Sequence, residues 1–462
     1  MKSLVKKKAA LVMAMLGLML SGAACTAGQP EPVQVTVWHV YGGQTASPLN
    51  AIIERFNQTV GREQGIYIQV TSVSNTNTIH EAVLASANQE PGAAVLPDLF
   101  ISYPKTVLAL PDEMILADYH DYFSEEELEA YIPSFLQEGT VHQRFVVFPV
   151  AKSTEIMFIN QTAFDRYAAE TGADMQDLRT WEGVFRMAED YTRWSDAKTP
   201  DIPDDGKAFL AHDYPFNYFQ VGVESLGESF FHGNTLAFGP AFDAVWEPYA
   251  RAAVCGGVWL QEGYATEPLR TEDAVVSVGS SASVLYYADT VTYPDNASEK
   301  ITWTAMPCPI FENGARMVYQ RGAGFCLVKS SPEREQAAVT FLKWLTEPQN
   351  NVEFVTSLGY MPVTYSAFEN YLEDAIEGLE DLKYRELYRA FSDTMREDYT
   401  FYTAPQIPAY LELETRFEDE LRSRLDEAHG EYMQADGEEK EALLDSLIEE
   451  TREKVKGSLS RF

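Results

Sequence analysis

Seven histidines and seventy carboxylates equip this chain for acid–base or metal chemistry, and their spacing decides what they can do. A common zinc hydrolase sets two histidines on one helix face beside a general base, and no HExxH run occurs. The serine elbow of α/β-hydrolases needs glycine on both sides of the nucleophile, whereas VGSSASV (278–284) lacks the second glycine. No glycine-rich loop of the P-loop or dinucleotide type is present. DIPDDG (201–206) lacks the alternating oxygen donors of a calcium loop and reads as a turn. ADYHDYFSEEE (117–127) places His120 among acids that would attract a cation, but it reads first as an exposed acidic helix start. Two carboxylates facing each other across a sugar would hydrolyse it, and that geometry leaves no linear signature. The four cysteines, Cys25, Cys255, Cys308 and Cys326, have no zinc spacing. No catalytic site, metal or cofactor is expected.

The aromatic residues give the stronger signal. Phe, Trp and Tyr make up 12% of the chain, and tyrosines stand near turn residues at Tyr41, Tyr103, Tyr214, Tyr218 and Tyr360. A tyrosine face covers the C–H face of a sugar ring while its polar edge bonds the hydroxyls. Each one packs into a core just as readily, so a sugar site requires a fold that makes them converge.

The elements that would position them alternate in type. VQVTVWHVY reads as a strand, and SPLNAIIERFNQTV as a helix with Ser47 as N-cap and Pro48 in its first turn. IYIQVTSV, TIHEAVLASANQ and PDLFISY continue as strand, helix, strand, which predicts a parallel sheet flanked by helices. FVVFPVAKSTEIMFIN, TAFDRYAAETG and TWEGVFRMAEDYTRW begin a second such unit. DAVVSVGSSASVLYYA predicts a strand, a small-residue turn and a helix start. ITWTAMPCPI and GAGFCLVK read as strands about an Asn313-Gly314 hairpin turn, which would let Cys308 and Cys326 pair, although two isolated buried thiols are the simpler expectation. SPEREQAAVTFLKWLTEPQNNVEFVTSL supplies two helices, and beyond Pro408 the chain reads as almost all helix, packed on the second unit.

Lys2, Lys6, Lys7 and Lys8 precede an apolar run from Ala9 to Leu20, too short for a comfortable membrane span and followed by small residues. This is the pattern of a secretory signal over 1–24, with SGAACTAGQPEP leading into a polar linker over 25–32. Removing that signal, with its four lysines and no acid, takes the formal charge from −35 to −39. So negative a surface repels nucleic acid and anionic headgroups and favours solubility outside the cell.

Taken in order, VTVWHVYGG, PDLFISY, FPVAKSTEIMFINQTAF, TWEGVFRMAED, VGSSAS, GAGFCLVKSSPEREQAAVTFLKWLTEPQNNVEF and LGYMPVTYSAF cover residues 33–455 with their intervening helices. Their order and spacing resemble the extracellular solute-binding proteins of bacterial ABC sugar importers, the group that includes maltose-binding and glycerol-3-phosphate-binding proteins. The resemblance implies an α/β, two-lobed periplasmic-binding-protein-like fold of type II. Residues 33–148 and 323–368 would form lobe 1, and 149–322 and 369–462 lobe 2, joined by crossing hinge strands that close on ligand. It implies a carbohydrate ligand, an ABC permease as partner, a monomer, and no nucleic-acid contact. It also gives Cys25 a role as the lipid-carrying residue that holds the protein at the outer face of the membrane, although Gly22 stands where an aliphatic residue is usual and simple release after Ala24 is the alternative.

Carried over residue by residue, the resemblance assigns ligand contact to Gly42 and Gly43 in the first turn, Ser153 at the crossing, Ser281 after the small-residue turn, and Gly322 and Tyr360 opposite. Tyr103, Tyr214, Asn217 and Tyr218 are added as aromatic or polar lining. Glycerol-3-phosphate binders carry an arginine shortly before PQI and a glutamate after the third strand; here Thr400 and SYPK stand there. A buried phosphate without a cation is costly, which favours a neutral sugar, while Lys105, Lys152 and Arg321 remain as cations an anion would meet. A glycerol phosphodiester or another polar solute, a sensory receptor, and a secreted glycosidase are the alternatives.

Overall fold

The computed structural model describes residues 31–42, 47–202, 204–435 and 437–460. Cys25 and Gly43 lie outside the described residues. The chain opens with β1 (Val33–His39), β2 (Ile66–Val73) and β3 (Leu99–Ser102), with β1 parallel to both of the others. The helix Pro48–Gln58 makes the first crossover, and Ser47 Oγ accepts the amide of Asn50 at 3.4 Å as its cap. Leu49, Ile52, Ile53 and Phe56 are its buried stripe, the spacing that a helix lying on a sheet must have.

After β4 (Phe148–Pro149) the chain leaves this sheet for a second one, whose central strand is β5 (Ser153–Asn160). All eight β5 residues are buried, as a strand covered on both faces requires. Around it lie β6 (Leu210–His212), β7 (Val258–Trp259), β8 (Val276–Ser280), β9 (Trp303–Pro307) and β10 (Met317–Arg321). The chain then returns to the first sheet as β11 (Gly324–Leu327), antiparallel to β3 and β4, so the first sheet runs β2-β1-β3-β11-β4. A final strand, β12 (Thr400–Tyr402), lies parallel to β10, and the second sheet runs β7-β6-β8-β5-β10-β12, with β9 also on β5.

The expected Asn313-Gly314 hairpin does not form. β9 pairs with Ile156–Asn160 and β10 with Ser153 and Thr154, both antiparallel to β5, so the two lie end to end along one edge of it. The intervening loop instead presses on the helix Pro215–Ser225: a Cβ on Gly314 would come within 2.7 Å of Ser225 Oγ. Cys308 follows a strand of the second sheet and Cys326 lies in a strand of the first, and both are buried free thiols.

The helix Pro332–Leu345 covers the first sheet, Pro348–Thr356 packs on that helix and on Pro48–Gln58, and Ala117 N–H donates to Leu327 O at 2.8 Å to bind the sheet's flank. The C-terminal helices Tyr410–Gln434 and Gly437–Leu459 pack as a hairpin on the helix Pro240–Val254. Phe417 plugs that joint against Phe219, at a centroid distance of 5.0 Å, and Trp246 Nε1 donates to Ile448 O at 3.1 Å. No helix among the described residues is long and apolar enough to cross a membrane. The acidic stretch around His120 is a helix start: Ser124 and Glu127 form a reciprocal capping box, and His120 Nδ1 lies 2.9 Å from Asp118.

Phe417 is fully buried beneath the terminal hairpin, so Phe417→Ala leaves a cavity there. We expect it to cost about 3–5 kcal/mol in denaturant unfolding of the second sheet's unit, with a smaller effect on the first.

Candidate functional site

The polar residues of the two strands that cross between the sheets gather at one point. β5 begins with Ser153, Thr154 and Glu155 before turning apolar, and β10 ends with Arg321, which pairs with Ser153. The Arg321 guanidinium lies 3.6 Å from the Tyr214 ring centroid, a face-on cation–π contact, and 5.8 Å from that of Tyr319. Its Nη1 is 3.6 Å from Glu155 Oε1, an electrostatic pair longer than a hydrogen bond. Asn217 Nδ2 donates to the same Glu155 oxygen at 2.6 Å, and Asn217 in turn is reached by Gln220 at 3.4 Å. Gln220 also donates to Tyr410 Oη at 2.9 Å, which lies 2.9 Å from Tyr319 Oη. The second sheet's side of the site is therefore one connected polar network from Arg321 to Tyr410.

Tyrosines from the first sheet's side face it. Tyr41 and Tyr360 meet edge to face at a centroid distance of 5.5 Å, and Tyr41 packs on Phe354 at 5.1 Å. Tyr103 lies within the electrostatic reach of both Arg321 and Tyr360, with Lys105 Nζ 5.7 Å from its ring centroid. Tyr286, exposed on the rim, is coupled to Tyr360 in the same way. The Tyr41 hydroxyl is buried without a partner among the described residues.

Burial raises the cost of every charge here. It pushes Glu155 up to about 7, against the pull of Arg321 and the Asn217 hydrogen bond, and Glu418 up to about 7 against its bond from the Phe216 amide. Asp213 and Glu414 are raised for the same reason. Arg321 is also opposed by burial, but Tyr214, Glu155 and Tyr319 hold it above its ordinary range, so it is a permanent cation. His212 is pushed down to about 3 by burial, and both of its ring nitrogens lack a partner among the described residues. It is a neutral ring packed 5.5 Å from Trp181.

Several residues expected at the ligand do stand at this junction. Tyr103, Tyr214, Tyr360 and Ser153 line it, and Asn217 supports it through Glu155. Gly42, at φ 92°, is exposed on the turn after β1. Tyr218 requires correction: it is only 2% exposed, donates to Val245 O at 2.8 Å and meets Trp181 edge to face, inside the second sheet's core. Tyr214 is the N-cap of the helix Pro215–Ser225, outside its helical backbone at φ −135° and ψ 73°, whereas Tyr218 lies within the helix on its buried side. Ser281 is fully buried with an unpartnered hydroxyl, and its carbonyl would be 2.9 Å from a Cβ on Gly359, whose φ is +76°. Gly322, at φ +109°, serves the crossing itself: a Cβ there would meet Lys152 Cα at 3.0 Å. Of the three cations, Lys152 is committed to Glu138, while Lys105 and Arg321 face the site. Glu155, Tyr319, Tyr410 and Gln220 were not expected; the one sequence signal for Glu155 is a lone acid inside the otherwise buried run STEIMFIN.

A mixed α/β chain that builds two sheets and crosses between them matches the fold of two-lobed solute-binding proteins. The chain belongs to the family of bacterial extracellular solute-binding proteins, whose profile matches residues 51–378. Among solved structures it is similar to the cyclic alpha-maltosyl-1,6-maltose binding protein from Arthrobacter globiformis, with a TM-score of 0.65 and 19% identity over 92% of this chain and 100% of that one. It is similar to UgpB from Mycobacterium tuberculosis in complex with glycerophosphocholine, with a TM-score of 0.62 and 18% identity over 93% and 98%. Maltose-bound MalE3 from T. maritima aligns with a TM-score of 0.59 and 16% identity over 91% and 99%. No curated protein matches the sequence.

Burial pushes Glu155 up to about 7 in the folded state, from an ordinary glutamate value of 4.5 when unfolded. Between those values the folded state holds more protons, so this group's contribution to stability falls as pH rises through the window and stays low above it. We expect Glu155→Gln to flatten the fall in unfolding free energy between pH 5 and 8 by an amount on the order of 1–3 kcal/mol. Denaturant unfolding of parent and variant across that range measures it.

Proposed function

We propose that the chain is the solute-binding component of an ABC-type importer for carbohydrates, capturing a mono- or oligosaccharide between its lobes and passing it to a membrane permease. The observation that carries this is the convergence of Tyr41, Tyr103, Tyr360 and Tyr214 on one cleft beside a fixed network of amide, carboxylate and hydroxyl groups. Such a site offers flat apolar faces to a sugar ring and both donors and acceptors to its hydroxyls. Two of the similar structures are described by their maltose-type ligands, which agrees with this chemistry.

The division of labour follows from the fold. Residues 33–148 with 323–368 would move as one lobe and 149–322 with 369–462 as the other, hinged at the crossings near 150–152 and 322–323. Closure on ligand changes the shape a permease meets, and so distinguishes loaded from empty receptor. The role is binding rather than catalysis, performed by a monomer. Cys25 would carry the lipid anchor, with residues 25–32 giving reach from the membrane.

A second reading, a glycerol phosphodiester ligand, is favoured by Arg321 and the glycerophosphocholine complex among the similar structures. It is weakened by Glu155, which already offsets the Arg321 charge, and by Asp213 and Glu414, which act on the same guanidinium.

A thermal-shift screen of residues 26–462 against neutral sugars, oligosaccharides and glycerol phosphodiesters separates the two. A ligand at 100 times its dissociation constant stabilises by about 2.7 kcal/mol, and we expect that shift with a neutral sugar, recovered unaltered. Stabilisation by phosphodiesters alone would replace the sugar reading, and recovery of cleaved sugar would make the protein an enzyme. Tyr214→Ala is expected to weaken binding of that sugar by at least tenfold in calorimetry, since a lost stacking face costs about 1.4 kcal/mol or more. Cys25→Ser is expected to move the protein from the membrane fraction to the medium; unchanged retention would exclude the lipid anchor.

A further inference from the structure

Away from the tyrosine cleft, a buried ion pair sits where the chain passes between the sheets. Lys152 Nζ is bonded to Glu138, with the two side chains 3% and 13% exposed. Lys152 lies on the first crossing, between β4 and β5, and its Nζ also donates to Gly322 O on the second crossing at 2.9 Å. Glu138 ends the helix Pro133–Glu138, beside the first sheet. The same Glu138 oxygen accepts from Gln320 Nε2 at 2.5 Å, and Gln320 belongs to β10 of the second sheet. Gln320 Nε2 also donates to Ser134 O at 3.3 Å, and Gln406, beyond β12, donates to Glu138 O at 3.2 Å.

One carboxylate thus holds both crossings and a strand of the second sheet. The residues it grips adjoin the cleft: Lys152 precedes Ser153, Gln320 precedes Arg321, and Ser153 and Arg321 are register partners. Alternation along β10 puts Gln320 on the face opposite Tyr319 and Arg321, so the grip is applied from behind the site. A buried Lys–Glu pair yields little net stability against a well-packed apolar pair, and its best-attested use is to fix one arrangement among alternatives.

We propose that Glu138 is a positioning residue that latches the two lobes, setting their separation in the unliganded protein and placing Arg321 for ligand. Gln320 is the latch's link to the second sheet, and Lys152 is its hinge pin. This rests on the two-lobed, closing receptor proposed above, but its test uses no ligand and is decided separately from the identity of the solute.

The test is Gln320→Leu, which cuts the link and leaves the ion pair whole; the side-chain Oε1 of Gln320 has no partner to lose among the described residues. Hydrogen exchange is followed at 150–154 and 320–324, with small-angle scattering of the unliganded full-length mature protein. The expected result is an unchanged unfolding midpoint, exchange about tenfold faster at both segments, and a wider lobe separation. Glu138→Met combined with Lys152→Met, which removes the acceptor and leaves no lone buried charge, is expected to reproduce that pattern, and adding Gln320→Leu to it should change nothing further. Exchange within about twofold of the parent at both segments, with identical scattering, would overturn the proposal. So would loss of cooperative unfolding in Gln320→Leu, because that would make Gln320 a support of the second sheet's core rather than a latch.

Discussion

Arg321 carries a permanent charge at the meeting point of two sheets, and much of the architecture around it supplies what that charge requires. Taking a guanidinium out of water is expensive unless it is compensated from more than one direction. Tyr214 covers one face at 3.6 Å, and Glu155 stands 3.6 Å away as counter-charge. Asn217, Gln220, Tyr410 and Tyr319 then hold Glu155 and each other in place. The C-terminal helix Tyr410–Gln434 belongs to this arrangement through its first residue, so a segment far along the chain reaches the cleft.

The charge sits where it does because of how the strands are laid. β5 has partners on both edges and is buried along its whole length, yet its first three residues are polar. Those residues fall where the chain has just left the first sheet, and β10 ends beside them before the chain returns. Two crossings in the same place create a junction between lobes that neither lobe's core fills. Polar side chains are tolerated there because they pair with one another across the junction: Glu138 with Lys152 and Gln320 behind it, Glu155 with Arg321 and Asn217 within it. The tyrosines of the first sheet's side add apolar area to the same junction.

Much of this order was legible as pattern. The βαβαβ opening, the Ser47 cap, the two late helices and the helical terminus each depend on residues close together in sequence, where periodicity and capping act locally. The Asn313-Gly314 turn misled because turn chemistry says that a chain bends and not which strands pair afterwards; β9 and β10 both found the same edge of β5. Tyr218 misled for a related reason. Its neighbour Tyr214 is the helix's N-cap, held by non-helical backbone against Arg321, whereas Tyr218 is inside the helix and enters the aromatic cluster of Trp181, Phe185 and Tyr249.

The sequence by itself determined the class of fold, the repeated α/β units, the net acidity, and the supply of tyrosines beside turns. These are properties of composition and of spacing within one element. Only the tertiary structure decided which tyrosines share a cleft, that Glu155 and Arg321 face each other, that Lys152 is spent on Glu138, and that Gly322 serves the crossing. Each of those depends on contacts between residues of distant or separate elements, 170 positions apart in the case of Lys152 and Gly322. Such pairs are set by strand register and crossover, which fix burial and charge compensation only once both sheets are assembled.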